Sequence, residues 1–417
     1  MAPGYKWAFT ARFRSEAYGW RASALATKRL KEAVTEIQKA AKPDPLAAGG
    51  GVVMLMERIW PALQHVDSSS GALGNAVNRT LEALIPLLIA APAERKTREQ
   101  WMERLYQALV EDGVNYLSPV EGRWGDICVF ADLASEWANR IFPLLRQTWA
   151  SGERGAWVIG ATLCLSCLVE AERFSELQDV LSFLPYRFWH YEKFLAEALL
   201  RQGRTDDAIA YAEECGEDPY AEGEITRFCE RALLEAGRRE EAYQRYGLWA
   251  ATGTTYLAIF RNTAKRYPER DPRQILLDLI NARGSKGKWF AAAKSAGHLD
   301  VALECARKGT TDPATLVRAA RDFVETAPEF AAQVALLAIK FLLDGRGYEP
   351  RPLDIGSAHR HLMAAADRLR ATEWAMRETL ELLANPSPTE VSIMRDELVA
   401  SFQDAQRQLR RSAEDPQ

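Results

Sequence analysis

The chain of 417 residues is poor in several things, and each shortage excludes something. Six cysteines are too few at this length for a disulfide scaffold, which fits a reducing compartment. Neither sign of charge dominates: 53 Lys+Arg against 57 Asp+Glu leave −4, which argues against a generic polyanion binder while leaving room for a local basic patch. Long apolar runs are missing. The greasiest stretch, residues 81–91, contains Pro86 and has roughly half the length of a membrane span. The opening MAPGYKWAFTARFR has no continuous apolar h-region, so no secretory signal is expected. These shortages together predict a cytoplasmic protein that does not enter a membrane. Strand-like alternation is also nearly absent. Residues 127–130 are the one short candidate, and they read equally well as a helix start.

What is present is apolar, helical and repetitive. With 47% hydrophobic and 10% aromatic residues the chain can bury a large core, in two or three domains or in one extended repeat array. Val77, Leu81, Leu84 and Leu88 recur at helix spacing, as do Trp101, Leu105, Ala108 and Leu109. Leu133, Trp137, Ile141 and Leu145 do the same, with Pro143 read as a kink or boundary. Turn chemistry predicts breaks at residues 42–45, 49–51 (Gly-Gly-Gly), 67–71, 345–347 and 385–388. The chain reads as all-α.

Four segments superpose without gaps: CLSCLVEAERFSELQDVL from Cys164, LAEALLRQGRTDDAIAYA from Leu195, CERALLEAGRREEAYQRY from Cys229 and WFAAAKSAGHLDVALECA from Trp289. Their turn residues are Glu172, Gly203, Gly237 and Gly297, and the middle step is 34 residues. Eight before the turn stand Cys164, Leu195, Cys229 and Trp289, a core column. Five before it, Cys167, Ala198, Ala232 and Ala292 are small, as a close helix crossing requires. Glycine at the turn suits a left-handed helix end. Three past it, Ser175, Asp206 and Asp300 read as N-caps of a second helix, with Glu240 the exception. Five past it come Leu177, Ala208, Ala242 and Ala302. The unit is helix–turn–helix.

In the small residue before the turn, the Gly, the Ala five later and the 34-residue step, the chain resembles the tetratricopeptide-repeat family over roughly residues 155–309. It departs in lacking the family's early Trp, in the place of its terminal Pro, and in its other steps of 31 and 60 residues. The longer step predicts an inserted helix or a degenerate unit between Trp249 and Lys288. Overall the chain is similar to uncharacterised bacterial helical-repeat proteins, a resemblance that supplies no activity. The expected architecture is an α-solenoid of antiparallel helix pairs: a helical N-terminal region over 1–150, tetratricopeptide-like repeats over 151–345 and a helical cap over 346–417.

Motifs with chemical promise have plainer readings. Cys164-x-x-Cys167 falls on packing columns of the repeat, and no second such pair exists, so core cysteines are expected and not a metal site. His359 and His361, two apart, point to different helix faces. His65, Asp67 and Ser68 lack a nucleophile turn, so Asp67 or Ser68 is expected to cap the helix that follows. Gly284-Ser-Lys-Gly-Lys288 is followed by Trp289 and preceded by no strand, so it is a loop and not a phosphate cradle. No His-Glu-x-x-His, calcium-loop or dinucleotide motif occurs, and no cofactor is expected.

Residues 1–42 carry nine Lys+Arg and three Asp+Glu, interleaved with Tyr5, Trp7, Phe9, Phe13, Tyr18 and Trp20. Such a segment can track a phosphate backbone and stack bases, in which case Arg12, Arg14, Arg21, Trp7 and Trp20 are the contacts. It can equally cap the core with its aromatics. Residues 169–224 hold fourteen acidic and five basic residues, so charge complementarity within the fold or between copies is the simplest joint reading.

The first functional reading is a non-catalytic scaffold holding a protein or peptide. The resemblance implies that the first helix of each unit lines a concave groove, where inward positions are His190, Lys193, Glu197, Arg201, Arg227, Glu230 and Lys294. Lys193 and Arg201, eight apart on one face, could hold a carboxylate. The family's carboxylate-clamp version has asparagines where this chain has Glu197 and Glu230, so a mixed-charge or basic peptide is expected instead. A nucleic-acid binder is the second reading and an enzyme with a dispersed site the third; steep salt dependence would mark the second.

Overall fold

The computed structural model describes residues 5–152, 158–184, 186–216, 221–308, 310–387, 389 and 391–414, and these are all-α. Contacts divide the chain into two units, Met1–Ala232 and Leu233–Gln417, the division falling within the helix Glu222–Glu235.

In the first unit, Ser23–Ala41, Pro45–Leu63 and Ala72–Ala90 pack on one another, and Arg95–Glu111 joins the second of them. Pro45–Leu63 is long and apolar enough to cross a membrane by length and composition, and 56% of its apolar window is buried in the protein. Its Gly49-Gly-Gly51, expected as a break, lies inside the helix. A Cβ at Gly49 would come within 2.7 Å of Trp101, and one at Gly51 within 2.4 Å of Trp7. The glycines are seats for two indoles, which offsets their poor helix propensity of about 1 kcal/mol each. Prolines 61, 86 and 143 likewise sit within helices rather than ending them. The helix Ala72–Ala90 starts after left-handed Gly71 with no side-chain cap; Asp67 instead accepts from the Ser69 amide within the preceding turn. Residues 124–128 are helical.

The N-terminal aromatics settle inward. Trp7, Phe9, Phe13 and Tyr18 are buried, and Glu36 holds the strand of chain that carries them by accepting from the amides of Ala8 and Phe9. Four buried aromatics contribute roughly 1.5–3 kcal/mol each, enough to order a short segment.

The repeats follow as Ala161–Glu170 with Phe174–Leu181, Trp189–Arg201 with Thr205–Glu214, and Glu222–Glu235 leading to Arg239–Ala242. All four turn residues are left-handed: Glu172 at φ 53°, Gly203 at 73°, Gly237 at 74° and Gly297 at 86°. Each turn closes with the same six-to-one backbone bond: Arg173 to Leu168, Arg204 to Leu199, Arg238 to Leu233 and His298 to Ala293. The small columns are buried, from Cys167 and Ala198 through Ala232 and Ala292. The expected N-caps are one feature the structure corrects. Ser175, Asp206 and Asp300 lie inside the second helices; the caps of the first two are Arg173 and Arg204, and neither makes a capping bond through its side chain. Their guanidiniums reach forward to Glu176 and Asp207 instead.

In the second unit, Tyr256–Arg266 and Pro272–Arg283 fill the long step as a helix pair without a glycine turn. Before them a π-helical turn, Tyr243–Gly247, brings Gly247 against Tyr267, and Arg283 collects the freed carbonyls of Leu248, Trp249 and Ala251. Lys286–Ser295 pairs with Leu299–Lys308, and Pro313–Phe323 with Pro328–Leu343. The left-handed turn with its six-to-one bond recurs at Gly345 and at Arg370, so the motif extends past residue 309. Pro352–Arg368, Thr372–Ala384 and Ser392–Glu414 complete the chain, and of the predicted break at 385–388 the last residue lies outside the described ones.

A candidate binding cavity on the first helices

Residues four apart on a helix share a face, so positions two, six and ten before each turn form columns on the first helices. In the first unit these columns border a cavity of about 690 Å³. Its walls come from Ala161–Glu170 (Ser166, Val169), Trp189–Arg201 (Trp189, Lys193, Phe194, Glu197, Arg201), Glu222–Glu235 (Glu224, Arg227, Phe228, Arg231) and the segment of Gly122, Arg123 and Asp126. Gly125 allows that last segment to approach: a Cβ there would stand 2.3 Å from the Ser166 carbonyl oxygen, and its amide donates to Ser166 Oγ at 3.0 Å.

Aromatic packing fixes the walls. Trp189 meets Phe228 edge-on at 5.2 Å between centroids, tying two first helices together. Lys193 Nζ lies 5.3 Å from the Phe194 ring and the Arg231 guanidinium 5.2 Å from that of Phe228. Both rings and Trp189 are buried, so only a small part of each is open to the space.

Charge in the cavity is mostly consumed internally. Arg201 donates to Glu170 at 2.7 Å and to Asp126 at 3.2 Å, and Asp126 also takes a bond from Arg123. Arg231 donates to Glu197 at 2.6 Å. Lys193 and Arg227 have no ion pair within 4 Å among the described residues. Burial pushes the Lys193 ammonium below the ordinary lysine range, and the charge of Glu224 opposes that fall.

Of the sequence-predicted positions, Lys193, Glu197, Arg201 and Arg227 are brought together here. His190 sits on the same helix, outside the lining, with Nε2 3.0 Å from Thr162 Oγ. Glu230 is buried, 3% exposed, and does not line the cavity. It stands seven before its turn, in a column whose other members, Leu165, Ala196 and Phe290, are all core, which corrects its assignment to the groove. Lys294 belongs to the second unit, where its ammonium lies 5.8 Å from the Phe323 ring. Arg201 is already held by two carboxylates and is not free to clamp another beside Lys193. Sequence reasoning missed Arg123, Asp126 and Arg231. For Arg231 the signal existed, since it aligns with Glu197 at the 34-residue step.

At the N-terminus, Trp7 is buried against Gly51 and cannot stack a base, and Arg12 is paired with Glu32 at 2.5 Å. Arg14, Trp20 and Arg21 are exposed. Part of the acidic stretch 169–224 is paired with arginines from inside and outside it, through Arg146–Asp179, Arg201–Glu170, Arg187–Glu214 and Arg231–Glu197. Of the six cysteines all are buried and unbridged, and among the described residues no group of three His, Cys, Asp or Glu is placed to hold a metal.

Comparison with known proteins adds little. No family profile matches the chain, and no curated protein does. A solved structure, described as a circular tandem repeat protein with novel repeat topology and enhanced subunit contact surfaces, is 14% identical over 94% of this chain and 91% of its own, with a TM-score of 0.18. The helical-repeat character of this chain rests on its own recurring turns.

Proposed function

We propose that the chain is a non-catalytic, tetratricopeptide-like scaffold of a reducing compartment that holds a segment of a partner protein in the first-unit cavity. The observation that supports this reading is the cavity's construction from the first helices of three successive units. Rigid walls with fixed aromatics and a mixture of polar groups suit a peptide, whose backbone and side chains both need partners. The competing nucleic-acid reading loses support with Trp7 buried and Arg12 paired, because sequence-tolerant binding of single strands relies on open aromatic faces beside free cations.

A photo-crosslinking amino acid placed at the exposed rim residue Arg123 tests the reading, with exposed Leu144 on the helix Ala131–Ala150 as control. The expected result is a polypeptide adduct from position 123, mapped to one segment of the partner and lost when Arg227 is changed to Glu. Equal capture from both positions, or adducts made of nucleic acid, would contradict it.

A further inference from the structure

The inward columns of the first helices differ in a way that packing alone does not require. Two before the turn, Glu170 and Arg201 of successive units are opposite in sign and bond at 2.7 Å. Six before it, Glu197 and Arg231 are again opposite and bond at 2.6 Å. Ten before it stand Lys193 and Arg227, alike in sign, with uncharged Thr162 in the unit before them. Both line the cavity, and neither has an ion pair among the described residues. Like charges in register on neighbouring helices repel, and a partly buried ammonium loses hydration, costs that the charge of Glu224 offsets only in part at Lys193.

We infer that Lys193 and Arg227 receive two side-chain carboxylates of an extended, acidic segment of a partner protein, with its apolar side chains against Trp189, Phe194 and Phe228. This rests on the cavity being the binding surface. Charge complementarity sets the sign: five basic side chains line the space against three acidic ones, and Asp126 and Glu197 are already engaged. Geometry sets the spacing. Neighbouring helices run roughly 10 Å apart, and alternate residues of an extended chain about 7 Å apart, so acidic residues at i and i+2 can reach one cation each. A chain terminus brings a single main-chain carboxylate and matches a column of two cations less well. The sequence expectation of a mixed-charge or basic peptide counted Glu197 as available; with Arg231 on it, what remains without an ion pair is Lys193 and Arg227 against Glu224, a net positive charge.

The test is selection from a library of random twelve-residue segments displayed internally, so that no free terminus is offered, against the full chain. The expected winners carry two acidic residues separated by one residue, beside an apolar residue. A synthetic winner with both ends blocked should crosslink to Trp189–Arg201 or Glu222–Glu235. Its affinity should fall about tenfold or more for Lys193→Gln and again for Arg227→Gln, with unchanged melting temperature. Neutral or basic winners crosslinked to those helices would overturn the acidic assignment and leave the scaffold reading standing. No segment crosslinked there would overturn both. Single-stranded DNA bound in a way that depends on Lys193 and Arg227 would overturn the choice of a protein partner.

Discussion

Glu197 and Arg231 stand 34 residues apart, each six before the glycine that ends its helix, and meet at 2.6 Å. The bond joins equivalent positions of two successive repeats, and the Arg201–Glu170 bond does the same 31 residues apart. Opposite charges at one repeat position thus pin neighbours in register, and each such position is closed to other ligands. The position ten before the turn breaks this rule, and the functional reading follows from the break. Exposed pairs of this kind contribute little individually, so their role is register more than stability.

The turns predict opposite effects of opposite substitutions. Gly203 is left-handed with open space where a Cβ would go, so Gly203→Ala should cost about 1 kcal/mol from backbone strain alone. Glu172 holds the same conformation with a side chain, so Glu172→Gly should stabilise by roughly 1 kcal/mol. Urea titrations of the two variants check this; equal signs would mean that the turns are not equivalent.

Trp7 should report on its seat. Gly51→Ala places a methyl where the indole lies, at 2.4 Å, and should cost about 1–3 kcal/mol. It should also expose Trp7, read as a red shift in tryptophan fluorescence that is absent when Trp7 is first changed to Phe. An unshifted spectrum with full stability would place Trp7 elsewhere.

The fold was legible where neighbours in space are neighbours in the repeat. Columns of small residues and left-handed turns predicted the pairs around Gly203, Gly237 and Gly297 because each depends on contacts within about one repeat. Gly49-Gly-Gly51 was not legible as helix, because the reason for its glycines is Trp7 and Trp101, distant in sequence. The caps were misplaced by two residues because the six-to-one bond satisfies the helix end through the backbone, leaving Arg173 and Arg204 free of the usual capping chemistry. Part of the site, Lys193 and Arg227 among it, could be named from the repeat, but its sign could not. That needed the pairing of Glu197 with Arg231, and Asp126 arrives from outside the repeat altogether.

Two buried groups, one in each unit, should make stability respond to pH with opposite signs. Burial, reinforced by Asp112, pushes Glu121 up to about 7 from an ordinary 4.5. The folded first unit therefore holds a proton that the unfolded chain releases, and stability is lost as pH rises from about 4.5 through 7. Glu121→Gln should remove that slope. In the second unit, burial, with Arg360 adding to it, lowers His359 to about 4 from 6.5, with Nδ1 2.9 Å from Ser401 Oγ and Nε2 unpartnered. There the unfolded chain binds the extra proton, so stability is lost as pH falls from about 6.5 through 4. Hydrogen exchange resolved along the chain separates the two, and a slope in the first unit that Glu121→Gln leaves unchanged would contradict the assignment.

The cysteines should be inert. Burial raises Cys164 to about 12 and Cys167 well above the ordinary thiol range, where Cys128 and Cys164 add to the effect. Thiol reagents at neutral pH should label neither until the protein is unfolded. Stoichiometric zinc in protein purified without added metal, lost on Cys167→Ala, would contradict a purely packing role.

The central claim is that one column binds while another holds the repeats in register, and Arg227 and Arg231, one helical turn apart, separate the two. The measurement is the affinity for the selected acidic segment, by calorimetry, alongside unfolding free energy for Arg227→Gln and Arg231→Gln. Arg227→Gln should weaken binding about tenfold and leave stability unchanged. Arg231→Gln should cost about 0.5 kcal/mol of stability and leave a neighbouring Glu197 that weakens binding far less than tenfold. Binding lost with Arg231 and indifferent to Arg227 would contradict the account.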